Sequence, residues 1–260
     1  MADCDIYIIY CNPERYTFMK TQMEALNIQS CTFVQASTPE SSREWLGTNP
    51  SVNDKLKCCF KSHIDVMKMW LESSSRSDYL LILEDDVCLL KDDFVTKLRN
   101  IISIYSKTSD IDYVSIGYLP NTINKGLIHT HLQKYTNNEE NMYWGVHKLD
   151  FTVWGSQAQL FTRSTIRKIV DLLYVNNADE IYTKISEYVK TNTVYQNKVI
   201  HPMIDVLLPL LFSQAIVCPP LAIENEMAST IHHDNSRRLT IWRMADKENM
   251  LKLGDYYSYE

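Results

Sequence analysis

Asp78-Tyr79-Leu80-Leu81-Ile82-Leu83-Glu84-Asp85-Asp86-Val87 runs four apolar residues straight into three consecutive carboxylates. A short apolar run bounded by a turn reads as a buried central strand. Carboxylates do not stay unpaired inside a core, because desolvating even one is costly. The strand must therefore end at Glu84, with the acids standing at its carboxyl end. In open α/β sheets that edge is where ligands bind. Adjacent carboxylates repel one another, and a divalent cation relieves the repulsion. Hard cations such as Mn²⁺ or Mg²⁺ take oxygen ligands and bring diphosphates with them. The rival reading of an acidic run is a helix cap. Asp92 and Asp93, directly before the periodic run Phe94, Leu98, Ile101 and Tyr105, fill that role.

Working outward, residues 5–11 (DIYIIYC) are β-branched and aromatic and read as the first strand. Asn12-Pro13 breaks it, and Pro13 suits the first turn of a helix carrying Phe18, Met19, Met23 and Leu26 on one face. A second strand at residues 31–36 completes a β-α-β unit, which predicts a parallel pair. The loop at residues 10–15 should then face the same edge as Glu84 to Asp86. Residues 37–55 read as a surface loop. A helix over residues 56–72 follows, with His63 on the apolar face of Phe60, Ile64, Met67 and Leu71. A histidine there is either a satisfied core residue or a ligand.

Downstream, a strand is expected at residues 113–117, and residues 118–150 are polar and read as a mobile loop. A strand entered through Gly155 covers residues 155–161. Helices begin near Ser164 and within residues 176–200, and residues 216–223 read as a strand bent by Pro219-Pro220. Strands alternate with helices, so the expected fold is α/β with a largely parallel central sheet flanked by helices. One domain is expected over residues 1–260, with the loop at 118–150 between residues 1–117 and 151–260; the resemblance described below implies that the first part binds the nucleotide and that the last, with its tail, binds the acceptor.

Composition agrees. The 260 residues are 45% hydrophobic and 22% charged, enough for one sizeable core. A net charge of −6 with no basic patch argues against a nucleic-acid partner. Asp3 and Asp5 near the start, with no basic n-region, are unlike a secretory signal, and the apolar run at 206–217 is too short to span a bilayer. Seven cysteines without a CxxC pair read as reduced, so the expected location is intracellular and cytoplasmic.

Several segments together carry a resemblance. Ile8-Ile9-Tyr10-Cys11-Asn12-Pro13-Glu14-Arg15, Lys61-Ser62-His63-Ile64, the acidic stretch 81–87, and residues 155–161 followed by Arg163 resemble glycosyltransferase family 25. That family includes the lipooligosaccharide and procollagen galactosyltransferases. Met203-Ile204-Asp205-Val206 and Ser229-Thr230-Ile231 resemble its later motifs. The chain departs from the family pattern at Cys58, Gln159 and Thr230.

The resemblance implies a GT-A fold, a DxD-like motif with Mn²⁺ (or Mg²⁺), and a UDP-sugar donor. It implies transfer of a hexose, galactose or glucose, to a glycan or glycoprotein acceptor with inversion. On that footing Asp86 binds the metal and Glu84 faces the ribose, with Asp85 and Ser62 beside the nucleotide. Tyr10, Asn12 and Arg15 line the uridine pocket. Gln157, His233 and Arg237 reach the acceptor or the diphosphate, and His232 completes the metal shell. The alternative for the two histidines is a solvated pair on a polar tail.

Asp205 is the only charge between Lys198 and Glu224. It reads either as the base that takes the acceptor proton or as a carboxylate at a helix N-terminus. Two rival functions stay open: a GT-A-like nucleotide-sugar-binding protein without turnover, and a metal-dependent nucleotidyl- or phosphotransferase. The absence of a GxxxxGK[ST] stretch argues against P-loop chemistry.

Overall fold

The computed structural model describes residues 4–49, 53–119, 145–148, 154–191, 203–218, 220–224 and 255–257. Its strands are β1 (Cys4–Tyr10), β2 (Thr32–Gln35), β3 (Tyr79–Glu84), β4 (Val87–Leu89), β5 (Tyr113–Leu119), β6 (Gly145–Lys148), β7 (Trp154–Thr162), β8 (Gln214–Cys218) and β9 (Ala222–Glu224). The helices are α1 (Pro13–Ala25), α2 (Asp54–Glu72), α3 (Phe94–Tyr105), α4 (Arg163–Leu173), α5 (Ala178–Thr191) and α6 (Ile204–Leu211).

All the strands join one sheet in the order β2-β1-β3-β7-β5-β8-β6, with β9 beside β5 and β4 beside β9. The expected α/β fold is present. The β1–β2 pair is parallel, as the β-α-β reading requires, and β3 pairs with β1 in the same direction. β7 runs antiparallel between β3 and β5, and β6 and β4 are also reversed, so six of the nine strands share one direction.

β3 is a continuous apolar run because both faces of the sheet are covered. Its side chains alternate between two cores. Leu81 and Leu83 join Ile6 and Ile8 of β1 against α1 and α3. Leu80 and Ile82 join Tyr7 and Ile9 against α2, α4, α5 and α6. The helical period of α2 puts Phe60, Ile64, Met67 and Trp70 into that second core.

Two local devices bring the acidic stretch to its place. Gln22 of α1, buried, acts as a strand mimic: its Nε2 donates to the Val87 carbonyl (2.9 Å) and its Oε1 accepts from the Leu89 N–H (2.8 Å). This satisfies the outer edge of β4. At Gly117 a Cβ would lie 2.8 Å from the Ala222 carbonyl oxygen and 3.1 Å from the Ala158 Cβ. Glycine is what lets β5 lie so close to both β7 and β9.

Several boundaries differ from the sequence reading. Residues 118–150 are not loop throughout: β5 continues to Leu119, and Gly145–Lys148 forms β6 against β8. The rest of that segment lies outside the described residues. The run at 216–223 is two strands, β8 and β9, because the prolines cannot continue a hydrogen-bonded ladder. Asp93 occupies the N-cap position of α3, but with φ of 58° it makes no side-chain cap, so the capping role expected of it is not filled. Among the described residues, no helix is long and apolar enough to cross a membrane.

Candidate active site

Parallel pairing sends the carboxyl ends of β1 and β3 to the same edge. There the Cys11 backbone N–H donates to Asp85 Oδ2 at 2.5 Å, and Arg15 Nη1 donates to Asp85 Oδ1 at 2.8 Å. The Arg15 and Asp85 side chains are only 5% and 7% exposed. Burial opposes the Arg15 charge, but the Asp85 carboxylate beside it outweighs this and raises its pKa. Burial and the same carboxylate push the Cys11 thiol up to about 12. Asp85 thus uses both oxygens to tie the first loop to the acidic turn.

Glu84 and Asp86 face a cavity of about 380 Å³ that Asp205 and Glu224 also line. Glu84 Oε1 lies 3.0 Å from His63 Nε2 and accepts a hydrogen bond from the Ser156 hydroxyl. Burial works to raise its pKa; His63, Ser156 and Arg15 together prevail and lower it. Asp86 is the opposite case. Burial first, then the charges of Glu84, Glu224 and Asp85, raise its pKa well above the usual range against the pull of Arg15, which stands 4.0 Å away. Its Oδ1 is buried with no hydrogen-bond partner among the described residues. In this cluster a proton prefers Asp86.

Ser62 lines the same cavity and holds its wall together. Its hydroxyl donates to the Cys58 carbonyl and accepts from the Ser37 N–H, both at 2.8 Å. Gln157 of β7 enters the cavity with its Oε1 buried and unpartnered. Asp205 sits in the first turn of α6 and also lines the cavity, so it meets the geometric requirement of both readings given to it. Gly155, where φ is 110°, admits β7 to the cavity wall in a conformation that other residues rarely adopt.

Tyr10 and Asn12 stand elsewhere. The Tyr10 ring packs edge-on against Tyr16 at 5.1 Å, beside Phe33, and Asn12 Oδ1 caps α1 by accepting from the Arg15 N–H at 2.9 Å. Neither residue is among those lining the cavity. His232, His233 and Arg237 lie outside the described residues.

Among the residues of the cavity to which the sequence reading gave no role in the site are Glu224, Ser156 and Cys59. Glu224 carried a legible signal. Leu221-Ala222-Ile223-Glu224 is the same apolar run into an acid as Leu81-Ile82-Leu83-Glu84, and the β4–β9 register sets Glu224 opposite Val87. His63, buried, is both a core residue and a partner of Glu84. Burial first, then Glu84, Asp205 and Asp86, push the Cys59 thiol well above its ordinary range, so it is not a ready nucleophile.

The residues present fit a hard divalent cation. The observation behind this is the buried, unpartnered Asp86 oxygen among carboxylates that repel it. An acidic cavity of this kind cannot hold an anionic phosphate on its own. Arg15, its buried cation, is already paired with Asp85.

No family model matches the chain. No curated protein matches it either. Among solved structures, it is similar to a glycosyltransferase involved in glycosylation of the major capsid of PBCV-1 (7% identity, 93% of this chain and 99% of that one, TM-score 0.41). It is also similar to the galactosyltransferase LgtC in complex with donor and acceptor sugar analogues (10% identity, 96% of each chain, TM-score 0.44). An active-site mutant of LgtC matches at 14% identity over 98% of this chain and 86% of that one, with a TM-score of 0.42. At identities and scores this low, the likeness transfers no residue role and no activity to this chain.

Proposed function

We propose that the protein is a metal-dependent glycosyltransferase that moves a hexose, galactose or glucose, from a UDP-sugar to an acceptor hydroxyl on a glycan or glycoprotein, with inversion. The observation that carries this reading is the convergence of Glu84, Asp86, Asp205 and Glu224 on one cavity at the carboxyl edge of β1 and β3. Its volume falls in the range of small-molecule sites, about 300–1,000 Å³. Mn²⁺ or Mg²⁺, when bound, neutralises the departing diphosphate.

Asp86 would hold the ion, its Oδ1 having no hydrogen-bond partner among the described residues, and Glu224 would add charge beside it. Glu84, fixed by His63 and Ser156, presents its remaining oxygen to the ribose. Arg15 holds Asp85, and so the acidic turn, in register with the first loop. Asp205, at the start of α6 on the cavity wall, accepts the proton of the acceptor hydroxyl as that oxygen attacks the anomeric carbon.

The test is a thermal-shift panel of nucleotide sugars in Mn²⁺, followed by an assay of UDP release with and without acceptor. UDP-sugars are expected to stabilise the protein, by about 2.7 kcal/mol at 100 times the dissociation constant. GDP- and CMP-sugars should do little. Equal stabilisation by every nucleotide would remove the uridine assignment. Transfer of a nucleotidyl or phosphoryl group in place of the sugar would replace the reaction.

Asp205→Asn is expected to keep donor binding and to lose about 10²–10⁴-fold in transfer rate, the usual worth of a general base. The measurement is kcat against donor Kd. Near-normal kcat in this variant moves the base to another residue.

A further inference from the structure

We propose that Cys59, His63 and Glu84 form a second cation site in the cavity wall, one that selects a soft divalent ion of the Zn²⁺ class. Their ligand atoms all lie within 4.8 Å of one another. Cys59 and His63 are one helical turn apart on α2, at the spacing that puts two side chains on one face. Glu84 comes to them from the end of β3.

The His63 Nε2 to Glu84 Oε1 separation is 3.0 Å. In a tetrahedral zinc centre with bonds of about 2.0–2.2 Å, two such ligands stand about 3.3 Å apart. The pair is therefore already near its coordinating distance, with a proton where the ion would sit. A zinc-bound sulfur stands about 3.6 Å from its neighbours, given a Zn–S bond of about 2.3 Å. The ligand atoms lie within 4.8 Å of one another, so the Cys59 sulfur has to close by about 1.2 Å at most.

All three residues line the cavity, so a fourth position opens onto it for water or a ligand oxygen. The donor set differs in kind from the oxygens around Asp86. Thiolate and imidazole favour Zn²⁺, whereas carboxylate and water suit Mg²⁺ and Mn²⁺.

Binding releases the Cys59 thiol proton to solvent and, with Nε2 given to the ion, leaves the neutral His63 ring protonated at Nδ1, a buried atom with no hydrogen-bond partner among the described residues. It breaks the His63–Glu84 hydrogen bond and forms Zn–S, Zn–N and Zn–O bonds. No electron is transferred. The site goes beyond the transferase reading and rests on none of it, because it is assayed without nucleotide sugar.

The experiment titrates the full chain with Zn²⁺, and with Co²⁺ as a coloured stand-in, in excess Mg²⁺. One equivalent should bind, and Co²⁺ should give a sulfur-to-metal charge-transfer band with the intense visible bands of a tetrahedral ion. Cys59→Ser should abolish the charge-transfer band. Loss of an outer-shell partner alone costs about 10–100-fold in metal affinity, so Cys59→Ser and His63→Gln should each cost at least about 100-fold. Cys31→Ser should leave both the band and the affinity unchanged. X-ray absorption of the wild-type zinc complex needs no variant to fold, and it should show one sulfur at about 2.3 Å with nitrogen or oxygen at about 2.0 Å. A zinc shell without sulfur, a shell with two or more sulfurs, or a cobalt band that survives in Cys59→Ser overturns the site.

Discussion

In the Asp86→Asn protein, metal-dependent transfer is expected to fall about a thousandfold, while the metal-free protein melts above wild type. The first half follows from the proposed ion. A Lewis-acid metal is worth several kcal/mol of transition-state stabilisation, and about 4 kcal/mol is about three decades of rate. The second half follows from the apo geometry. Asp86 is a half-buried carboxyl among Glu84, Glu224 and Asp85, and its buried Oδ1 has no hydrogen-bond partner among the described residues. Groups kept for function at a cost in stability commonly return about 0.5–2 kcal/mol when replaced. In a chain of this length that is a few degrees of Tm.

The pH dependence has a definite sign. Burial and the neighbouring carboxylates raise the folded-state pKa of Asp86 above its unfolded value of about 3.9. Below about pH 4 the carboxyl is protonated in both states, and its contribution to stability is fully present. As pH rises from there through the raised folded value, the unfolded chain has released a proton that the folded chain still holds, and that contribution is lost. The Tm advantage of Asp86→Asn should therefore be small in acid and grow toward neutral pH. Mn²⁺ should narrow it by raising wild type alone. A Tm difference that ignores both pH and metal would refute the placement of Asp86.

Arg15→Met should destabilise the protein by about 3–5 kcal/mol, the cost of leaving one partner of a buried ion pair uncompensated. Arg15 Nη1 and Asp85 Oδ1 are 2.8 Å apart, and both side chains are almost wholly buried. Among the described residues, Asp85 would keep the contacts of Cys11, its N–H and its thiol, and no cation paired to it. Chemical denaturation of four proteins checks this: wild type, Arg15→Met, Asp85→Asn and the double variant. The double variant should recover much of the loss, because the stranded charge is gone. Suppose instead that Arg15 served mainly to bind uridine. Arg15→Met would then weaken donor binding at unchanged stability, and the tie described here would be wrong.

How far the sequence reached is clearest at the acidic stretch. The apolar run of residues 80–83 between acids specified a strand, its end at Glu84 and its place in the middle of a sheet covered on both faces. These follow from local physics: the side-chain period of a strand and the cost of desolvating a carboxylate. The parallel β1–β2 pair followed from the β-α-β order, and with it the expectation that residues 10–15 face the same edge as Glu84 to Asp86. The helical faces of α2, α3 and α4 were likewise written in their spacing.

What tertiary structure alone decided are the partners of these groups. Arg15, expected from the resemblance to line the uridine pocket, lines the cavity with its guanidinium against Asp85, a partner that the sequence did not name. Nothing local to residue 15 records the charge at residue 85, whereas strand register sets their distance. Tyr10 and Asn12 sit in the right loop, yet one joins an aromatic cluster and the other caps α1, because each satisfied the nearest available partner. Glu224 had to be carried beside Asp86 by β9, through the close approach that Gly117 allows. Local pattern determines which residues end a strand as acids. Only the pairing of strands distant in sequence determines which acids share a cavity.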